Sequence, residues 1–402
     1  MPHKVVQIIN RNNLGGLLLI AYNMAQGLPK CFETTVISGQ RSSNEGDATH
    51  LTQAMQIQPI LIRSMRRSLN PYYDIKSFFQ LRQILKKIQP DIVHTHAAKA
   101  GAIGRLAAAS AGVPVVVHQF HGHVFQHFFS PLVSFFFVLI EKYLTTKCDA
   151  ILAISDEVKH DLCEVYKVST ANKTHVLPIG IDFTKFIANT ELKRKRFRDE
   201  WQLTDDEVAI GIIGRVVASK NVPMFVEIIA ALQKKTSKKI RGFIIGDGDD
   251  KATVMQAAAD FNCSITTLKS NSKTHTITYT SWLQHIDEVQ AGMDIVLLTS
   301  LNDGTPVSLL EAQASKTPVV AANAGGTACT LKNEETGYLV DVGDVEKMIQ
   351  KTELLITNEA LRKEMGNNAK NWVLQNFSLA TMNENLANLY LDLLSKKGMI
   401  TH

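Results

Sequence analysis

Short runs rich in β-branched residues alternate with longer amphipathic stretches along the whole chain, and the pattern starts twice. In the first half the runs are KVVQII, TTVIS, DIVHTH, PVVVHQF and DAILAIS. After VLPIGIDFTKF, residues 176–186, it restarts with EVAIGIIG, IRGFIIG, DIVLLTS, TPVVAA and GYLVDV. Apolar strands separated by helices long enough to cross back over a sheet specify parallel pairing with both faces covered. Two rounds of it predict an α/β chain of two doubly wound sheets, which meet near residue 180. The length agrees, because 402 residues exceed the roughly 100–200 that one core usually fills.

Composition removes several classes of protein. At 45% hydrophobic and 20% charged residues the chain is an ordinary globular one. Its five cysteines form no C-x-x-C pair, which argues against a disulfide scaffold or zinc ribbon and suits a reducing cytoplasm. The start, MPHKVVQIIN, reads as a first strand and not as a signal peptide. The apolar run PLVSFFFVLI, residues 131–140, is shorter than the roughly 20 residues a membrane-spanning helix needs.

Charge is uneven. Residues 1–175 carry 18 Lys and Arg against 11 Asp and Glu, whereas the rest carries 25 against 27. The basic half is the one expected against an anionic surface. Within it RSMRRSLNPYY, residues 63–73, mixes Arg63, Arg66 and Arg67 with two tyrosines, a combination that could sit on acidic lipid headgroups, although charge runs of this kind more often form a solvated loop. The segment NTELKRKRFRDEWQLTDDE, residues 189–207, is expected to form a short helix after the junction.

In open α/β sheets ligands bind at the carboxyl ends of the strands, so the loops there carry the chemistry. After the first strand, Gly15 and Gly16 precede a helical pattern, where a bare backbone admits a phosphate. The loop is neither G-x-G-x-x-G nor a P-loop, which disfavours a dinucleotide or nucleoside triphosphate. In the second half GRVVASKN sets Arg215 at a strand end and Lys220 just before a helix, a pair of cations suited to a diphosphate leaving group. Further on, LNDGTPVSLLEAQA carries Asp303 and Glu311 on either side of a turn. Thr305 is the expected N-cap and Pro306 the first helical residue. Glu311 then stands on the order of 9 Å along the axis from the cap. Two carboxylates at that separation suit hydroxyls at either end of a diphosphate, a ribose and a hexose.

With NNLGG, THAAKAGAIGRLAA, FHGHVF, ISDEV, LPIGID, GRVVASKN, IGDGDD, TSLNDGTPVSLLEAQA and PVVAANAGG in order along nearly its whole length, the chain resembles the family 4 glycosyltransferases of the GT-B fold. The likeness is nearest to members that build bacterial surface polysaccharides. It implies two Rossmann-like domains facing across a cleft that closes on the donor: residues 1–180 for the acceptor, and 181–376 for the nucleotide-sugar. The C-terminal helix, within residues 377–397, crosses back to the first domain. It further implies a retaining transfer from a nucleotide-sugar, UDP being the commonest nucleotide, with attack from the leaving-group face and without an essential metal or other cofactor.

Residue by residue, the resemblance assigns Arg215 and Lys220 to the diphosphate, with Gly15 and Gly16 admitting the phosphates. Glu311 falls to the ribose and Asp303 to the donor sugar, with Gly304 and Thr305 in the turn between them. Glu is usual at 303, and Ile179 stands where Asn is common; both are departures. Of the histidines in HQFHGHVFQH, His121 is the match for the one near the reacting centre, and His123 is second, on the acceptor side. No carboxylate or cysteine completes a zinc pattern there. Lys99 and Arg105 are candidates for an acceptor phosphate.

The implied partners are a nucleotide-sugar and a glycan or polyprenyl-diphosphate-linked saccharide, with no nucleic acid. The expected location is the cytoplasm, peripherally at the inner, acidic face of the cytoplasmic membrane. The apolar helix within residues 125–144 is expected to pack as core, with peripheral membrane attachment together with Arg63, Arg66 and Arg67 as the alternative. Two other classes stay open: a GT-B enzyme that epimerises its nucleotide-sugar, and a non-catalytic nucleotide-sugar-binding member.

Overall fold

The computed structural model describes residues 1–12, 16–40, 52–53, 55–66, 70–121, 131–267 and 276–400. It divides into two compact units, Met1–Ile181 with Phe377–His402, and Asp182–Asn376.

The first unit holds β1 (His3–Ile9), β2 (Phe32–Gly39), β3 (Ile60–Ile62), β4 (Ile92–His96), β5 (Val115–Phe120), β6 (Ala150–Ala153) and β7 (Thr174–Val176). They form one parallel sheet in the order β3-β2-β1-β4-β5-β6-β7. Its helices include α1 (Gly16–Gly27), α2 (Pro71–Ile88), α3 (Ala98–Ala111), α4 (Pro131–Thr145) and α5 (Asp156–His160). β4 and β5 are buried at every residue, as strands covered on both faces must be. The order reverses between β1 and β4, and the crevice at such a switch point is where doubly wound sheets hold ligands.

The second unit repeats the plan with β8 (Glu207–Ile213), β9 (Lys239–Ile245), β10 (Ile265–Thr266), β11 (Ile277–Ser281), β12 (Ile295–Leu298), β13 (Val319–Ala322) and β14 (Gly337–Val340). The order is β10-β11-β9-β8-β12-β13-β14, again parallel, with its switch point between β8 and β12. Its helices are α6 (Thr184–Ile187), α7 (Thr190–Glu200), α8 (Val222–Lys235), α9 (Lys251–Asp260), α10 (Ile286–Gly292), α11 (Val307–Ala314), α12 (Val345–Thr357) and α13 (Glu359–Phe377). One apolar cluster fills each face of this sheet, the larger around Phe225, Ile229 and Ile244, the other around Phe243, Leu298 and Leu309.

The last helix, α14 (Leu379–Lys396), belongs to the first unit. Ser378 caps it by accepting from Thr381 N, and Met382, Leu386, Tyr390 and Leu393 join the cluster under β1, β4 and β5. Tyr390 is fully buried, and its hydroxyl lies 2.7 Å from His94 Nδ1, so a polar pair in the core holds the chain's end against its first sheet.

Among the described residues four strands lie outside the runs read from the sequence: β3, β7, β10 and β11. The first three are edge strands of two or three residues. β11, ITYTS, alternates polar and apolar residues and buries only its first three.

α4 packs as the expected core helix on one side, where Phe137 and Val138 join the first unit's apolar cluster and Leu144 is buried, but not on the other. Leu132, Phe135, Phe136, Leu139, Ile140 and Tyr143 are exposed, and the polar Glu141 and Thr145 are buried. Glu141 points inward because Arg105 of α3 is there: Arg105 Nη2 donates to both carboxylate oxygens at 3.0 and 2.8 Å, and its Nε donates to Gly101 O at 2.9 Å. Arg105 is therefore no surface ligand for an acceptor phosphate, since its side chain has 0% exposure and is bound on three counts. Burial pushes the Glu141 carboxyl above its ordinary range even with Arg105 beside it. Among the described residues no helix is long and apolar enough to cross a membrane.

Arg105→Leu leaves Glu141 buried without its counter-charge and is expected to cost about 3–5 kcal/mol. Arg105→Leu/Glu141→Leu, with no charge to strand, recovers most of that loss. Urea unfolding of the two variants beside the wild type measures both, and a single-variant loss under about 1 kcal/mol would show the pair to be dispensable.

Candidate functional site

The predicted donor residues sit on loops that leave adjacent strands at the switch point of the second sheet. β8 ends at Ile213, and the chain runs through Gly214 and the exposed Arg215 to the 3-10 turn Ala218–Lys220. Asn221, left-handed at φ 47°, turns it into α8. The loop after β9 braces this segment from one side, since Val216 N donates to Asp247 O at 3.0 Å and Asp250 N to Val216 O at 3.1 Å. That approach needs glycine at 246, where a Cβ would lie 1.8 Å from the Gly214 carbonyl oxygen at a φ of 138°.

From the other side comes the loop after β12. Thr299 Oγ1 donates to the carbonyls of Lys220 and Asn221, both at 2.9 Å, and Leu301 N donates to Ser219 O at 2.8 Å. The result is a contact the sequence reading did not foresee, in which Lys220 Nζ donates to Asp303 Oδ2. Ser300 Oγ donates to the same oxygen at 3.1 Å. The two side chains keep 20% and 15% of their surface, enough for a substrate to reach them. The loop after β13 closes on this one: Gly326 N donates to Asp303 O at 3.0 Å, and a Cβ at Gly325 would stand 2.1 Å from that oxygen. Gly304 and Thr305 follow, with open space around Gly304.

α11 begins one residue later than expected. Val307 is its first residue and Pro306 holds the cap position, with no side-chain cap, so Thr305 is not the N-cap. Glu311 is half-buried on this helix. Burial raises its pKa to about 7, against the opposing pull of Lys185 and a hydrogen bond from Gln290. Lys185 and Gln290 went unnoticed in the sequence, because one sits in an ordinary charged stretch and the other on a short helix.

In the first unit the histidines converge at the carboxyl ends of β4 and β5. His96 Nδ1 is 3.0 Å from His121 Nε2, and His96 Nε2 is 3.2 Å from Gln7 Oε1 on β1. His94 stacks beside His96 with ring centroids 4.2 Å apart. On the other face of β4, Thr95 Oγ1 meets His118 Nδ1 at 2.9 Å. Burial lowers His121 to about 4 and His94 to about 3, and holds His96 and His118 well below the usual imidazole range. At neutral pH all four rings are uncharged, each with one donor and one acceptor nitrogen. With Gln7 Oε1 accepting from His96 Nε2, His96 Nδ1 must accept from His121 Nε2, which leaves His121 Nδ1 as an acceptor. Gln7 is the residue the sequence reading missed; its signal is a polar side chain inside the apolar run KVVQII.

Gly16 opens α1, while Gly15, His123 and Arg67 lie outside the described residues. Lys99 is committed to Asp74, Nζ to Oδ1 2.6 Å, with 12% of its side chain exposed. Among the described residues no group of three His, Cys, Asp or Glu is arranged to hold a metal ion. A recess of about 430 Å³ lies at the amino ends of β8, β12 and β13, around Val208, Asp294 and Pro318. That is the wrong edge of the sheet for the loops described above.

Residues 14–185 match the family model described as Glycosyltransferase Family 4, and residues 193–372 match that of Glycosyl transferases group 1. The chain is 27% identical over 350 residues, 85% of each chain, to the Escherichia coli UDP-Gal:alpha-D-GlcNAc-diphosphoundecaprenol alpha-1,3-galactosyltransferase. It is also 27% identical to the Staphylococcus aureus capsular polysaccharide biosynthesis glycosyltransferase CapM, covering 81% of this chain and 83% of that one. Among solved structures, Anabaena Alr3699/HepE in complex with UDP superposes with a TM-score of 0.77 at 16% identity, over 98% of this chain and 100% of that one. With family models over both units and relatives of the same kind over most of its length, the chain belongs to glycosyltransferase family 4 and is a glycosyltransferase of the GT-B fold.

Proposed function

We propose that the chain moves a hexose from a UDP-sugar, with retention of anomeric configuration, onto a saccharide carried by a polyprenyl diphosphate, in the assembly of a cell-surface polysaccharide. The observation that carries this reading is the Lys220–Asp303 pair at the switch point of the second sheet, with Arg215 on the same loop as Lys220. The Escherichia coli relative, a UDP-Gal:alpha-D-GlcNAc-diphosphoundecaprenol galactosyltransferase, supports the donor and the lipid-linked acceptor, and the Staphylococcus aureus capsular polysaccharide enzyme supports the polysaccharide. Such an acceptor keeps its sugar at a membrane surface, and the enzyme reaches it peripherally at the inner face of the cytoplasmic membrane.

In this reading a diphosphate beside Lys220 and Arg215 meets two cations and the amino end of α8, which together stabilise the charge that builds as the glycosidic bond breaks. Asp303 accepts hydrogen bonds from hydroxyls of the donor sugar, and Lys220 and Ser300 hold its carboxylate in place. Glu311 accepts from the ribose. In the first unit His121 Nδ1, an acceptor in the tautomer set by His96 and Gln7, suits a sugar hydroxyl. An epimerase or a non-catalytic binder is the weaker reading beside relatives named as glycosyltransferases.

Mass spectrometry of the purified chain with UDP-, GDP- and ADP-sugars and a membrane extract tests the reading. The expected result is release of one nucleotide together with a lipid product one sugar heavier. Lys220→Ala is expected to lower the rate by about 10²–10³-fold without lowering the melting temperature. An unchanged rate would remove the diphosphate assignment, and a changed sugar without any acceptor would mean epimerisation.

Glu311 gives a pH test. Its pKa in the fold, about 7, stands above the ordinary 4.5, so between those values the unfolded chain has lost a proton that the folded chain keeps. Stability from this group is therefore greatest below the lower value and falls as pH rises to about 7, by on the order of 2–3 kcal/mol. Glu311→Gln is expected to remove that part of the decline, so the variant gains on the wild type as pH rises from 5 to 8 in unfolding measurements. Parallel curves would contradict the buried carboxyl.

A further inference from the structure

α4 is apolar on its outer side as well as on the side that packs against the core. At about 100° per residue, Leu132, Phe135, Phe136, Leu139, Ile140 and Tyr143 fall on one stripe. That stripe is the outer one, with each side chain between 44% and 68% exposed. The inner side packs Phe137, Val138 and the buried Leu144 against the core and also carries Glu141 and Thr145, which a helix shaped only by the unit's own core would carry outside.

α2 packs against α3, and α3 against α4, so the outer sides of the three helices adjoin. α2 adds Tyr72, Ile75 and Phe79, exposed at 68%, 58% and 59%. Lys76, Lys86 and Lys87 are exposed on the same helix. Their positions fall on the arc of Tyr72 and Phe79, about 120° wide. Lys142 and Lys147 are exposed at the far end of α4, and Arg66, whose guanidinium lies 4.1 Å from the centroid of Tyr73, is exposed near the start of α2. The three helices contain two acidic residues. Asp74 is paired with Lys99, and Glu141 is buried on Arg105. The face is thus apolar and aromatic across its middle and basic at its rim, with both acids neutralised by their own neighbours.

That charge pattern chooses the occupant. A second copy of the chain across a twofold axis would bring lysines toward lysines, whereas a bilayer with anionic headgroups meets the rim with opposite charge and the stripe with acyl chains. We propose that the outer face of α2, α3 and α4 docks the chain on an anionic lipid bilayer, with α4 lying in the interfacial plane. Lysines at the rim reach headgroups while their stems cover apolar surface. The purpose of docking rests on the proposed function, because a polyprenyl-linked acceptor is presented at that surface, but the binding itself needs neither donor nor acceptor.

The experiment is cosedimentation of the full chain with vesicles of phosphatidylcholine alone and with about 30% phosphatidylglycerol, a composition that gives a negative surface potential. The expected result is binding to the anionic vesicles that weakens as salt is raised. Phe136→Ser/Leu139→Ser should reduce it by about tenfold or more. Lys76→Gln/Lys86→Gln/Lys87→Gln should reduce it by a similar factor. All five side chains are exposed, and unchanged melting temperatures would show that the variants fold. Binding that is equal in wild type and both variants would overturn the assignment, as would no binding to either vesicle. A dimer that is lost in Phe136→Ser/Leu139→Ser, seen by sedimentation velocity, would overturn it in favour of a second copy. UDP binding, measured separately by calorimetry without lipid, divides the two ideas: vesicle binding without nucleotide binding leaves the docking face and sinks the transferase reading, and the reverse does the opposite.

Discussion

Parallel pairing is the constraint from which the rest follows. It sends every strand's carboxyl end to the same edge of its sheet, so the loops that leave β8, β9, β12 and β13 crowd together and must satisfy their own backbone groups. They do so on one another. The β8 loop bonds to the β9 loop on one side and the β12 loop on the other, and the β13 loop donates to Asp303 O. Lys220 and Asp303 are therefore fixed by the backbone of three neighbouring loops more than by their own ion pair, which as a part-exposed contact is worth little alone. A site built this way is rigid before any ligand arrives, and preorganised charge acts on a leaving group without the cost of reorganisation.

Much of this was legible in the sequence because it depends on local pattern. The ten runs read as strands all fall on strands, since each is a short apolar segment bounded by turn residues, and the restart after residue 186 announced the second sheet. The glycines of IGDGDD and AANAGG were equally visible, and the structure supplies their reason in backbone contacts under 2.2 Å that a side chain would make at 246 and 325. What remained illegible was pairing across distance. No pattern in GRVVASKN or LNDGTP says that Lys220 meets Asp303, 83 positions away, nor that Gln7 meets His96, 89 positions away. Edge strands of two or three residues carry too few positions for a period to register.

Arg105 shows the same limit from the other side. A cation in an alanine-rich helix near a strand end reads as available to an anion, yet it is consumed by Glu141 of α4, 36 residues on. The sequence does contain the compensating clue: Glu141 follows six apolar residues, Phe135 to Ile140, and an isolated acid beside such a run needs a partner. That pair fixes which side of α4 faces in: Glu141 meets the buried guanidinium on the side of Phe137, Val138 and Leu144, and Phe135 and Phe136 lie on the other.

The two units differ in how they spend charge, and the difference bears on what each can meet. In the second, Arg194 and Arg198 share Asp294, Arg241 holds Glu207, and Lys193 holds Asp287, so many of its charges are spent internally. Lys220 keeps part of its surface while paired, and Arg215 is exposed. An incoming diphosphate then meets positive charge at the site, in a setting that is otherwise close to neutral. In the first unit the imidazoles at the strand ends are uncharged, and Lys76, Lys86, Lys87 and Lys142 are exposed on outer helical faces. Positive potential there acts over a surface, weakened by salt beyond about 8–10 Å. A local pair of cations suits a small, doubly charged ligand; a distributed rim suits an extended one, which is why nucleotide and membrane would be recognised by different units of the same chain.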